Sequence, residues 1–65
     1  MYRAEVRNGY VYVIDTASGE EKHIMETSGS TVLGAEVTGD DEVTIRTDYA
    51  GGFETKYRIS TGMRA

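Results

Sequence analysis

Residues 42–60 read Glu-Val-Thr-Ile-Arg-Thr, then Asp-Tyr-Ala-Gly-Gly, then Phe-Glu-Thr-Lys-Tyr-Arg-Ile-Ser, and one antiparallel hairpin accounts for nearly all of them. With Thr47 opposite Phe53, Ile45 faces Thr55 and Val43 faces Tyr57 on one side. On the other side Arg46 faces Glu54 and Glu42 faces Arg58. Two opposite-charge pairs and an apolar stripe agree on one register, and a slip by one residue would turn the stripe to water. No other stretch constrains the architecture as tightly.

The rest of the chain is cut in the same style. Gly9, Gly19, Gly29 and Gly39 each follow Asn, Ser or Thr, and the pieces between them are rich in Val, Ile, Thr and Tyr. That is the pattern of a strand meander, and no segment keeps a helical period for three turns. Asn8-Gly9 is a two-residue turn of the type whose twist matches its flanking strands. It pairs Arg7 with Tyr10, Val6 with Val11, Glu5 with Tyr12, Ala4 with Val13 and Arg3 with Ile14. Asp15-Thr16-Ala17-Ser18-Gly19 turns into a strand over 21–27, which sets Ile24 against Val11, His23 beside Tyr12 and Met25 beside Tyr10. Ser28-Gly29-Ser30 leads into a strand over 31–37, and Gly39-Asp40-Asp41 into the closing hairpin with Val37 on Val43 and Ala35 on Ile45.

The expected fold is therefore a single all-β domain over residues 1–65, an antiparallel meander of five to six strands without substantial helix. An SH3-like or related small barrel suits it best, because a flat sheet would leave the apolar side wet and both edges unpaired. The expected core is Val6, Val11, Val13, Ile24, Leu33, Val37, Val43, Ile45, Phe53, Tyr57 and Ile59.

Tyr-Val-Ile-Asp-Thr-Ala-Ser-Gly at 12–19, the strand at 31–37 and Tyr-Arg-Ile-Ser-Thr-Gly at 57–62 also resemble one blade of a β-propeller. The resemblance implies one unit of a larger array. Inner blade strands pack on both faces, and the charged outward side of 42–58 argues against that.

Composition excludes several classes. The chain has 65 residues and no cysteine, so neither disulfides nor thiolate metal sites brace it. A chain this short without staples packs very well or borrows surface from a copy of itself or a partner. Eleven acidic against 7 basic side chains give a formal charge of −4, which favours solubility and weighs against non-specific binding to nucleic acid or anionic membrane. No apolar run approaches the ~18 residues of a membrane helix, and no signal-peptide layout opens the chain. The cytoplasm is the expected location. No cofactor or metal is expected.

His23 is the single histidine, and a catalytic imidazole needs a nucleophile or a second acid or base in reach. Ser18, Ser28, Ser30 and Ser60 sit in turns or at a strand end, so His23 reads as a cover for Tyr12. Glu20-Glu21 and Asp40-Asp41-Glu42 read as solvated turns, and Gly51-Gly52 as turn chemistry without the helix a phosphate loop opens. An enzyme is not expected.

One constellation stands out. The outer face of the first hairpin carries Arg3, Arg7, Tyr10, Tyr12 and Ile14, flanked by His23 and Met25. Tyr and Arg bury area while keeping a polar tip, which is what protein interfaces select. The expected role is binding of a protein partner or of an identical chain, with Tyr10 and Tyr12 as anchors. The alternative is a nucleic-acid-binding barrel using Arg3 and Arg7 with Arg46, Lys56 and Arg58. A third reading is that Arg stems merely cover the Tyr rings of a monomer.

Overall fold

The computed structural model describes residues 1–25 and 29–65. They form six strands: β1 (Tyr2–Arg7), β2 (Tyr10–Asp15), β3 (Glu21–Ile24), β4 (Val32–Gly39), β5 (Glu42–Thr47) and β6 (Phe53–Arg58), with one 3-10 turn at Tyr49–Gly51. The all-β antiparallel meander is as the sequence requires. Its strands fall into two sheets, ordered β1-β2-β3 and β4-β5-β6. Among the described residues no ladder joins the sheets into a closed barrel. A propeller blade is one four-stranded sheet, so two three-stranded sheets are a different construction.

Both hairpin registers hold residue for residue. Asn8-Gly9 takes φ of 52° and 82°, and the β1–β2 ladder runs from Arg7–Tyr10 to Tyr2–Asp15. The β5–β6 ladder runs from Thr47–Phe53 to Glu42–Arg58. The second connection also behaves as expected, with Val11 on Ile24 and Tyr12 on His23. Asp15 Oδ1 accepts from Ala17 N–H there, and Gly19 takes a left-handed φ of 80°. The strand expected over 21–27 has its ladder only to Ile24, so Met25 is not paired beside Tyr10. Glu26, Thr27 and Ser28 lie outside the described residues, and with them part of the expected turn at 28–30.

Val11, Val13 and Ile24 from the first sheet pack with Val43, Ile45 and Tyr57 from the second and with Ile59, giving one core between inner faces. Three expected core members are outside it. Leu33 is 65% exposed because it is the extra residue of a bulge: Val32 pairs with Thr47, then Gly34 with Arg46. Val6 lies at the last rungs before the first turn, and Phe53 opens β6 and leans edge-on against Tyr49 at 5.8 Å. Thr47, between Val32 and Phe53 in the ladder, is the buried member at that end. Gly39 is the last residue of β4 and pairs with Glu42, so the turn proper is Asp40-Asp41.

The expected charge pairs across β5–β6 share a register without touching. The ion pair that forms on this face is the diagonal one, Lys56 Nζ to Glu42 Oε1 at 3.6 Å. A twisted ladder brings one diagonal closer than the other, and long side chains follow it.

Sheet edges are covered in different ways. Residues 63–65 fold back along β6, with Arg58 N–H on Met63 O at 2.8 Å and Ala65 N–H on Lys56 O at 2.9 Å. β1 packs against β4. β3 is short and directs Lys22 inward, where its ammonium donates to the carbonyls of Ile59 and Ser60 at 3.0 and 2.7 Å. An inward lysine on a short edge strand opposes pairing with another chain and here also ties the two sheets together.

Candidate functional site

Alternation sends Arg3, Glu5 and Arg7 of β1, Tyr10, Tyr12 and Ile14 of β2, and Glu21 and His23 of β3 to the outer side of the first sheet. The central rung is Glu5–Tyr12–His23. His23 stacks on Tyr12 with ring centroids 5.1 Å apart, and Tyr10 meets His23 edge-on at 5.5 Å. Three rings thus pack on one another in the two geometries aromatic quadrupoles prefer.

Arg7 organises the charge. Its side chain crosses the sheet diagonally, with Cζ 4.8 Å from the centre of the Tyr12 ring. Its guanidinium grips Glu21 through two bonds, at 2.6 and 3.0 Å, and Glu5 through Nε at 3.0 Å and Nη2 at 3.4 Å. Two-pronged contacts of this kind are directional as well as charged. Hydrogen bonding from Arg7 holds the Glu5 and Glu21 carboxyls below the ordinary glutamate value, and the two glutamates push Arg7 further up. Arg3 lies 3.9 Å from Glu5.

The expected residues therefore divide. Tyr10 is 57% and Met25 67% exposed, and His23 is exposed beside them. Tyr12 is half-buried. Ile14 is only 7% exposed, which corrects its assignment to a contact surface: it sits between Arg3 and Glu21 in the ladder, two long side chains whose stems flank it. Arg7 is present on the face but engaged within the chain. Glu5 and Glu21 are the members that sequence reasoning missed. Their signal is the parity of the ladder, but Arg7 and Glu21 are two strands and four ladder positions apart, and only the sheet's twist joins them.

Beside Tyr10, His23 and Met25 a groove of about 390 Å³ opens, floored by Ile24 and bounded by Gly29 and Val32. It leads from the first sheet to the start of the second.

Arg46, Lys56 and Arg58 belong to strands of the second sheet and lie on its outer side, away from the shared core. They do not join Arg3 and Arg7 on one surface. Among the described residues no serine hydroxyl or carboxylate bonds the His23 ring, and no three His, Asp or Glu side chains gather as a metal site would need. Asp41 accepts from Ser60 N–H at 2.8 Å and Ser60 Oγ at 2.7 Å, a clasp that lowers its carboxyl and pins the end of β6. No helix of the described chain is long and apolar enough to cross a membrane.

No family model, curated protein or solved structure matches this chain.

Proposed function

We propose that the chain is a small non-enzymatic interaction module that binds protein through the outer face of its N-terminal hairpin. The observation that carries this reading is the packed ring group Tyr10–His23–Tyr12, whose outermost member, Tyr10, stands exposed beside an exposed Met25. A rigid aromatic presented to solvent loses little freedom when covered, which is why such residues dominate binding energy at interfaces. In this reading Tyr10, His23 and Met25 make the contact. Arg7, Glu5 and Glu21 hold the rings in place, and Arg3 stands at the rim. Ile14 belongs to the support.

The nucleic-acid reading has less behind it. Arg7 is neutralised by two carboxylates, Arg3 lies 3.9 Å from one of them, and Arg46, Lys56 and Arg58 lie on the outer side of the other sheet. Phosphate contacts require free cations, and each one makes affinity steeply dependent on salt.

Light scattering across concentration, on the chain and on a Tyr10→Ser/Tyr12→Ser variant, tests self-binding through this face. A lower mass for the variant is expected. Equal monomer masses for both would remove identical chains as the partner. Labelled single-stranded oligonucleotide at two salt concentrations tests the other class, and tight binding that collapses with salt would replace the protein reading.

A further inference from the structure

β6 is an edge strand whose cover stops short of its first half. On the β5 side the Ile59 N–H, just past the strand, turns to Asp41 O at 3.0 Å. On the other side the Arg58 N–H and the Lys56 C=O turn to Met63 and Ala65. This alternation runs the length of an antiparallel strand, so the even-numbered residues of β6 direct their main chain away from β5. The Glu54 N–H and C=O and the Lys56 N–H therefore point to the edge, and no described residue bonds them. The cover itself is slight. Met63, Arg64 and Ala65 are all exposed, and two main-chain bonds, at 2.8 and 2.9 Å, hold them against β6.

Charged side chains on an edge strand ordinarily keep it from pairing with its own copies. On β6 their order does the reverse. Glu54, Lys56 and Arg58 stand on the outer side of the sheet, and Phe53, Thr55 and Tyr57 on the inner. The open groups belong to residues 54 and 56, so an antiparallel copy in phase with them centres on Glu54, Thr55 or Lys56. The first centre sets Glu54 on Glu54 and the last sets Lys56 on Lys56, like charges directly opposite. The centre at Thr55 sets Glu54 opposite Lys56 of the second copy, and Lys56 opposite its Glu54. It also lays Phe53, 45% exposed in the single chain, across from Tyr57 of the second copy. One register thus matches every rung from 53 to 57.

We infer that β6 pairs antiparallel with β6 of a second copy about Thr55, displacing residues 63–65 and joining the β4-β5-β6 sheets of the two chains edge to edge. This surface is separate from the N-terminal hairpin, and the inference does not rest on the binding proposed there. Charge order selects the occupant: a strand that reads Phe-Glu-Thr-Lys-Tyr is complementary to itself when reversed, and an identical chain supplies that match. Main-chain bonds between Glu54 and Lys56 across the axis replace, one for one, those the two tails give up. The opposite-charge pairs and the cover over Phe53 then decide the balance. A contact confined to one strand is small beside the about 800 Å² per partner of a stable interface, so the association is reversible and concentration-dependent. It is two-fold and closed, and it stops at the dimer.

The test is sedimentation or light scattering from low micromolar to millimolar concentration. The mass of the natural chain should rise from 7.2 kDa towards twice that value. Glu54→Lys and Lys56→Glu should each weaken self-association about tenfold or more, and an equimolar mixture of the two should regain it, because each then faces its opposite charge. Ala65→Pro removes the N–H that holds the tail on Lys56 and should strengthen association. Far-UV circular dichroism and a thermal midpoint check folding; Glu54→Lys/Lys56→Glu, which keeps the net charge and should associate like the natural chain, serves if a single variant unfolds. A mixture that stays as monomeric as its components overturns the register about Thr55. Monomers at millimolar concentration for both the natural chain and Ala65→Pro overturn edge pairing altogether. A dimer lost in Tyr10→Ser/Tyr12→Ser and untouched by Glu54→Lys overturns it too, and leaves the hairpin face as the site of self-binding.

Discussion

The β1–β2 and β5–β6 hairpins are equally well registered, with six residue pairs each, and they differ in what they turn outward. The second turns outward a charged row with one diagonal ion pair, Lys56 on Glu42, while its Thr44 is buried and bonds Thr38 of β4 at 2.9 Å. The first shows stacked rings held under an arginine that spans two glutamates. Register therefore says where side chains stand but not which of them meet. The ion pairs Arg7–Glu21 and Lys56–Glu42 run along diagonals, because twist and side-chain length decide them. The charged groups of the second hairpin complete a solvated surface. Those of the first support an aromatic group that remains available.

The largest effects should come from what the two hairpins share. Ile24 and Ile45, from different sheets, are both fully buried in one cluster. Ile24→Ala and Ile45→Ala are each expected to cost about 3 kcal/mol in urea unfolding, most of the stability of a domain this small. Either change should loosen both sheets together. Amide exchange showing one sheet still protected while the other opens would break the single-core comparison.

Smaller effects separate the turns. Asn8-Gly9 uses a glycine for its second left-handed position, whereas the β5–β6 loop places Ala50 at φ 52°, ahead of Gly51 and Gly52. Ala50→Gly should stabilise by about 0.5–1 kcal/mol and Gly9→Ala should destabilise by about 1–2 kcal/mol, both read from urea midpoints. Opposite signs are the content of the prediction; equal signs would mean that neither backbone is as described.

The smallest effect is a pH dependence. Glu5 and Glu21 are lowered by Arg7, so their contribution is present above the ordinary value of 4.5 and fades as pH falls through the lower folded values. Asp41 and Glu42, lowered by bonds from Ser60 and Thr38, behave alike in the other half. Arg7→Gln should therefore flatten only part of the acid loss between pH 5 and 3. The urea midpoints of the two proteins should converge at low pH, and a gap that widens there would remove Arg7 as the cause.

Much of this was legible in residue order. Two-residue periodicity places Val11, Val13, Val43, Ile45 and Tyr57 inward, and Asn8-Gly9 sets a turn that admits one register. Leu33 was not legible, because Val32 and Leu33 are apolar on either parity and only the bulge decides which faces out. Ile14 was misread for a related reason: its parity is outward, but its ladder neighbours are long enough to cover it.

The sequence by itself determined the strands, their pairing within each hairpin and the outer row of Arg3, Arg7, Tyr10, Tyr12 and His23. These depend on alternation and turn chemistry, which act between residues close in the chain. Only the tertiary structure decided that the strands divide into two sheets and that Lys22 ties them. It also decided that Arg7 is neutralised across two strands and that Tyr10, His23 and Met25 line one groove with Val32 of the second sheet. Those outcomes depend on twist and on how two sheets meet, distances that no local pattern encodes.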